Sequence, residues 1–114
     1  MKKLTFLFIM LISFVGNAQQ NEIINFIKAE SIGGKIDFTK VADEQAKGTY
    51  FILYNNIAYN KKDFAILLWG AKVKSLGIEK YIDAIKLWEE IQSRKLTEPE
   101  KKALKKGFET KLEN

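Results

Sequence analysis

The chain contains no cysteine and no histidine, and only one of its 114 residues is a proline. Without cysteine and histidine the chain has no Ser-His or Cys-His nucleophile pair, no thiol redox pair and no ordinary zinc or copper site. A lipid cannot be attached through a thiol, and no disulfide can support the fold. Packing alone must hold the domain together.

Loops that bind phosphate or calcium are also missing from the sequence. Gly33-Gly34 is isolated and matches neither nucleotide fingerprint. Asp43-Glu44 supplies too few clustered oxygens for a calcium loop. We therefore predict no cofactor and no metal, assign no catalytic or ligand-binding residue, and expect a protein that is not an enzyme.

The opening eighteen residues are arranged as a secretory signal peptide. Two lysines precede an uncharged run from Leu4 to Val15, and the small residues Gly16 and Ala18 follow it. As a helix this run would span only ~18 Å, against a hydrocarbon core of roughly 30 Å. We predict cleavage after Ala18 and a bacterial product that is periplasmic or secreted, without a lipid. The alternative is a retained N-terminal membrane anchor.

Removal of residues 1–18 leaves a predicted single domain over residues 19–114. Lys2 and Lys3 leave with the leader, so the net charge falls from +5 to +3. This mild charge permits contact with an acidic partner or an anionic envelope surface, whereas nucleic-acid binders carry a denser basic stripe. We therefore predict no nucleic-acid partner. Two tryptophans and nine other aromatic residues remain to build a core.

Apolar spacing predicts an all-α fold, a small helical domain of five to six helices after the leader. The clearest segments are residues 21–30, 37–47, 64–76, 78–95 and 97–112. Asp63 and the Thr97–Glu100 capping box are the predicted starts of two helices. The tight junction at Gly77 predicts that helices 64–76 and 78–95 lie side by side. Gly107 weakens the middle of the last helix, which we expect to fray near its end.

Residues 49–59, TYFILYNNIAY, fit two structures. Tyr50, Leu53, Tyr54 and Ile57 form one helical stripe, which favours helix. Their aromatic and β-branched content also fits a strand, with KIDFT as the candidate partner. The alternative fold is therefore α+β, with a short hairpin around residues 35–56.

Two short stretches resemble known families. The stretch INFIKAESIGG resembles lytic transglycosylases through Ile24, Ile27, Ala29, Glu30 and Ser31. That resemblance implies cleavage of cell-wall glycan with Glu30 as the acid. The downstream Gly-Leu-Met-Gln stretch of those enzymes is missing.

The second stretch, GAKVKSLGIEKYIDAIKLWEEI, resembles the second half of a tetratricopeptide unit. The residues that carry this resemblance are Gly70, Leu76, Gly77, Tyr81, Ala84, Trp88 and Ile91. In such units small residues let two helices approach and aromatics fill the seam. Glu79 and Lys80 are additional, and no second copy follows. We assign the chain to neither family.

Two further groups of side chains have a functional and a structural interpretation. The cluster of Lys101, Lys102, Lys105 and Lys106 fits a basic helix on an anionic membrane or an acidic partner, or a solvated terminal helix. The aromatics Tyr50, Phe51, Tyr54 and Tyr59 fit the lining of a ligand groove or part of the core.

The function that these patterns favour is binding, by a small exported helical protein, to another protein or to a cell-envelope component. The alternatives are a carboxylate-based enzyme that cleaves cell-wall glycan and a membrane-surface structural protein that uses the basic C-terminal helix. The sequence predicts neither the partner nor the oligomeric state.

Overall fold

A computed structural model describes residues 19–110, which form five helices and one hairpin. In chain order these are α1 over residues 19–30, α2 (Thr39–Ala46), β1 (Phe51–Tyr54), β2 (Ile57–Asn60), α3 (Lys61–Leu76), α4 (Tyr81–Gln92) and α5 (Glu98–Glu109). The predicted signal peptide lies outside the described residues. Within residues 19–110 no helix has the length and apolar content to cross a bilayer.

The predicted helical domain is confirmed except at residues 51–60, where the all-α prediction is wrong. Strands β1 and β2 pair antiparallel across a two-residue turn, with Ile52 opposite Tyr59. Asn55 and Asn56 occupy that turn with φ of 51° and 63°, and positive φ at both central positions defines a type I′ turn. The α+β alternative is therefore correct in class. The prediction that KIDFT is the partner strand is wrong, because residues 35–38 form a turn and loop after α1.

The left-handed backbone at Asn56 gives a testable effect on stability. We expect Asn56→Val to lower the free energy of unfolding by about 1–2 kcal/mol, because that backbone region is unfavourable for a residue with a branched Cβ. Asn56→Gly should leave it unchanged or raise it slightly. Urea unfolding followed by tryptophan fluorescence measures both. As the matched control, Ala58→Val introduces the same side chain into the adjoining strand, and equal losses in the two valine variants would contradict the turn assignment.

Helix α3 is the centre of the domain and is buried on more than one side. Ile66, Trp69 and Val73 face one core cluster, as their spacing predicts. Phe64 and Leu67 face a second cluster, which lies beneath the hairpin. A helix buried on several sides needs an almost continuous apolar sequence, and FAILLWGA provides it.

The main packing partner of α3 is α5. The prediction that helices 64–76 and 78–95 lie side by side is therefore wrong. The two helices approach closely at Gly70 and Gly107: a Cβ on Gly107 would lie 1.9 Å from the Leu67 carbonyl oxygen, and one on Gly70 would lie 2.8 Å from Leu104 Cδ1. Helix α5 is continuous from Glu98 to Glu109, and Leu104 is fully buried against α3. The fraying that the sequence predicts near the end of this helix concerns residues that lie mostly outside the described part of the chain.

Capping side chains set the helix boundaries. Asn60 begins α3, its Oδ1 accepting the Asp63 N–H at 2.7 Å, so Asp63 is not the cap that the sequence predicts. The predicted capping box is confirmed, since Thr97 and Glu100 each accept the other's backbone N–H. Gly77, with φ of 125°, ends α3 as predicted.

Candidate functional site

A groove of about 800 Å³ lies between the loop after α1, helix α2, helix α3 and the end of α4. Four apolar side chains line it and are almost completely buried, namely Ile36, Ile66, Trp69 and Trp88. Its lining also includes four cations, Lys40, Lys61, Lys62 and Arg94, and two carboxylates, Asp37 and Asp43. No sequence motif connects these four segments, so the site could not be recognised from the chain alone.

Ser31 fixes one wall of the groove. Its hydroxyl donates to the Ile27 carbonyl and accepts the Trp69 indole N–H at 2.9 Å, so both buried polar groups are satisfied. The loop that follows crosses closely over the end of α1, and a Cβ on Gly34 would lie 2.6 Å from Glu30 Cα. This position therefore requires glycine.

Glu30 and Ser31, the pair behind the transglycosylase resemblance, have different surroundings. Ser31 is buried in the groove wall, whereas Glu30 does not line the groove. Glu30 Oε1 accepts the Lys35 N–H at 3.0 Å, and its carbonyl accepts the Ile36 N–H at the same distance. These bonds give Glu30 a role in shaping the loop, and catalysis by this residue stays a prediction.

Asp37 holds the loop at the mouth of the groove. One carboxylate oxygen accepts the side-chain hydroxyl of Thr39 at 2.6 Å and its N–H at 3.1 Å, and the other accepts the Gly33 N–H at 2.7 Å. The hydrogen bond from the Thr39 hydroxyl is the main cause that lowers the pKa of Asp37 below its ordinary value, and the bond from the Gly33 N–H lowers it further. The carboxylate is therefore ionised and already occupied by donors.

Arg94 joins the groove to a buried carboxylate. Its guanidinium lies 4.6 Å from the ring centre of Trp88 and donates to both oxygens of Glu100, at 2.8 and 2.6 Å. Lys62 approaches the same carboxylate at 3.2 Å. Glu90, one helical turn before Arg94, pairs instead with Lys28 at 2.9 Å.

Glu100 is only 2% exposed, yet it is ionised. The Arg94 bonds hold the pKa of this carboxyl well below its usual range, against the opposing effect of burial, and bonds from Thr97 and Lys62 lower it further. Thr97 donates its N–H to Oε1 at 2.8 Å. The same carboxylate therefore caps α5 and positions two groove cations.

The groove carries a surplus of positive charge. Lys61 pairs with Asp43 at 2.8 Å, and Arg94 and Lys62 share Glu100. Lys40 forms no ion pair with any residue from 19 to 110. Even when Glu100 is counted, the cations exceed the carboxylates, which makes the groove attractive to an anionic group.

The other sequence-predicted residues lie outside the groove. Among the hairpin aromatics, Tyr59 is buried, Tyr54 is half-buried, and Tyr50 and Phe51 are 86% and 62% exposed. The terminal lysines are on α5, whose apolar residues pack into the domain. The structure therefore does not bring either group together with the groove cations.

No family model, curated protein or solved structure matches this chain. The tetratricopeptide resemblance gains no support from the fold, because α3 packs chiefly against α5 and not against α4.

Proposed function

We propose that this chain is an exported binding protein that takes an acidic, partly apolar segment of a partner protein into the groove. Export follows from the predicted removal of residues 1–18, which yields a periplasmic or secreted product without lipid or cofactor. The observation that carries the proposal is the surplus of cations around an apolar groove.

The polar groups of the groove favour binding over catalysis. Asp37 is occupied by Gly33 and Thr39, and Asp43 is paired with Lys61. General acid–base chemistry needs a carboxyl group that reaches the substrate, and both groove carboxylates are held by the domain. Lys40, by contrast, has no ion pair with any residue from 19 to 110 and is exposed, so it can select and orient a charged partner.

The chemistry of the partner follows from the side chains between the cations. Phe38 and Ala65 line the groove and are partly exposed, close in sequence to Lys40 and Lys62. A ligand that fits must therefore place apolar groups beside its acids, as a peptide with alternating acidic and aromatic residues does. A uniformly charged envelope polymer lacks the apolar part. The buried apolar face of α5 and the hydrogen-bonded Glu30 give no comparable support to membrane docking or glycan cleavage.

Selection from a random peptide library tests the proposal. We expect enriched peptides to combine acidic and aromatic residues and to bind less tightly as salt rises. Lys40→Glu should weaken binding by about 5- to 10-fold, because it reverses a cation that no internal ion pair occupies. Fluorescence anisotropy with one labelled, enriched peptide measures the affinity.

Lys102→Glu is the matched control, since it makes the same charge change on an exposed part of α5 outside the groove. Its affinity should stay within about two-fold of the wild-type value. Enriched peptides without acidic residues, or equal losses in the two variants, would overturn the proposal. Binding of anionic glycan but of no peptide would assign the groove to an envelope component instead.

A further inference from the structure

Arg94 is the only arginine of the chain, and its side chain lines the groove while 38% exposed. A guanidinium carries five N–H donors in one plane. Nη1 of Arg94 donates to Glu100 Oε1 at 2.8 Å and to the Lys95 carbonyl at 3.1 Å, and Nη2 donates to Glu100 Oε2 at 2.6 Å. The Nε–H and the second N–H of Nη2 have no acceptor among residues 19–110.

These two unoccupied donors share one edge of the guanidinium. In the rigid fork the Nε–H and the outer N–H of Nη2 are parallel, so a single carboxylate can accept both of them. The rest of the group is held by the domain, because it lies 4.6 Å from the ring centre of Trp88 and its end is bound to the buried Glu100. Arg94 therefore presents a preorganised edge that fits a second carboxylate.

The charges in contact with Arg94 also favour one additional anion. Lys62 Nζ lies 3.2 Å from Glu100 Oε2, the same oxygen that accepts the Nη2 bond. Two cations thus contact a single carboxylate, and a ligand carboxylate on the unoccupied edge would neutralise this group. Asp63, whose pKa is raised by burial and by the charge of Glu100, neither lines the groove nor bonds to Arg94.

We propose that the Nε–Nη2 edge of Arg94 binds one carboxylate of the groove ligand through two parallel hydrogen bonds. This inference rests on the proposed function and names the group that recognises the acid of the partner peptide. It predicts selection against a neutral amide of the same shape, because an amide turns one acceptor into a donor that faces the N–H groups of Arg94. A side-chain carboxylate and a C-terminal carboxylate present the same two oxygens.

Heteronuclear NMR of the nitrogen-labelled wild type tests the contact directly, because a single arginine gives a single Nε–Hε signal. The probe is hydrocinnamate, an apolar ring with one carboxylate, titrated to about 10 mM, above the millimolar constants of weak small ligands. We expect a saturable downfield shift of Hε with hydrocinnamate and none with the neutral hydrocinnamamide. If neither hydrocinnamate nor an enriched acidic peptide moves Hε, the proposal is overturned.

The same signal separates this inference from the proposed function. If an enriched acidic peptide binds by anisotropy while Hε does not move, the proposed function stands and the carboxylate site on Arg94 is rejected. If hydrocinnamate moves Hε but no acidic peptide is enriched, the site is supported and the proposed partner is rejected.

Arg94→Lys keeps the charge and removes the two-donor edge. We compare an enriched peptide with its analogue in which Asn and Gln replace the acidic residues. The wild type should favour the acidic form by about 10-fold or more, and in folded Arg94→Lys this preference should fall at least about 5-fold. Lys40→Arg is the matched control, since it exchanges the same two side chains elsewhere in the groove, and it should change the preference by less than about two-fold.

An unchanged preference in folded Arg94→Lys, or an equal fall in Lys40→Arg, would overturn the proposal. If Arg94→Lys does not fold, the Hε titration of the wild type decides. Amidation of the peptide C-terminus identifies the source of the carboxylate. Weaker binding after amidation assigns the edge to the terminal carboxylate, and weaker binding only after the Asn and Gln replacements assigns it to an acidic side chain.

Discussion

Gly107→Ala should lower the free energy of unfolding by about 3 kcal/mol, although the same change in an ordinary helix raises it by about 1 kcal/mol. The sign is reversed by the crossing with α3. The new Cβ would lie 1.9 Å from the Leu67 carbonyl oxygen and 3.1 Å from the Ala71 nitrogen. Both are backbone atoms of a central helix, so α5 itself must move, and the packing of Leu104 and Phe108 is lost with it.

Urea unfolding, followed by fluorescence of the two tryptophans and by circular dichroism, measures the effect. Gly70→Ala should destabilise in the same direction, since its Cβ would lie 2.9 Å from the Leu104 carbonyl oxygen. Lys105→Ala is the control on the exposed side of α5 and should change stability by less than about 0.5 kcal/mol. A Gly107→Ala protein as stable as the wild type would show that the helices do not cross here.

Glu100→Ala should cost about 3 kcal/mol, the lower end of the range for breaking a buried ion pair. It removes the bidentate partner of Arg94, the contact with Lys62 and the acceptor for the Thr97 N–H. The lower end applies because both cations are partly exposed and can be hydrated after the change. Glu98→Gln is the control, because Glu98 is 81% exposed and its carboxylate lies 3.6 Å from the Lys101 Nζ. This change should lower the free energy of unfolding by no more than about 0.5 kcal/mol.

The same carboxylate predicts acid sensitivity. The pKa of Glu100 is lower in the folded state than in the unfolded chain, so its contribution is present above the unfolded pKa and is lost as the pH falls towards the folded one. The pKa of Asp37 is also lowered in the folded state, so protonation of Asp37 also lowers the stability as the pH falls. Burial raises the pKa of Asp63, so protonation of Asp63 has the opposite effect on stability. We expect wild-type stability to fall between about pH 5 and pH 3, and Glu100→Gln to fall less. If the wild type and Glu100→Gln lost the same amount of stability over this pH range, the assignment of acid sensitivity to Glu100 would be contradicted.

Local patterns made much of the fold predictable. The register of Ile66, Trp69 and Val73, the capping box of α5 and the stop at Gly77 each depend on residues within a few positions of one another. A hairpin was only the alternative prediction because Tyr50, Leu53, Tyr54 and Ile57 also fit a helical stripe. The stronger signal was Asn55-Asn56, since asparagine tolerates the positive φ that a two-residue hairpin turn requires.

Contacts between distant segments were not predictable from spacing. Gly107 looks like a weakness in its own helix, and only the approach of α3 shows why no side chain fits there. Arg94 has a favourable partner one turn away in Glu90, but the buried Glu100 provides two hydrogen bonds and excludes water. The groove combines residues from four segments, and of the residues that carry the transglycosylase resemblance only Ser31 lines it.

The crossing of α3 and α5 also constrains the order of assembly. Helix α3 cannot bury its apolar sides until α5 reaches it, and α5 is the last described element to be synthesised. A nascent chain therefore keeps apolar sides of this helix exposed to solvent and chaperones until α5 has been synthesised. That delay would suit a polypeptide that must thread through a narrow pore before it folds.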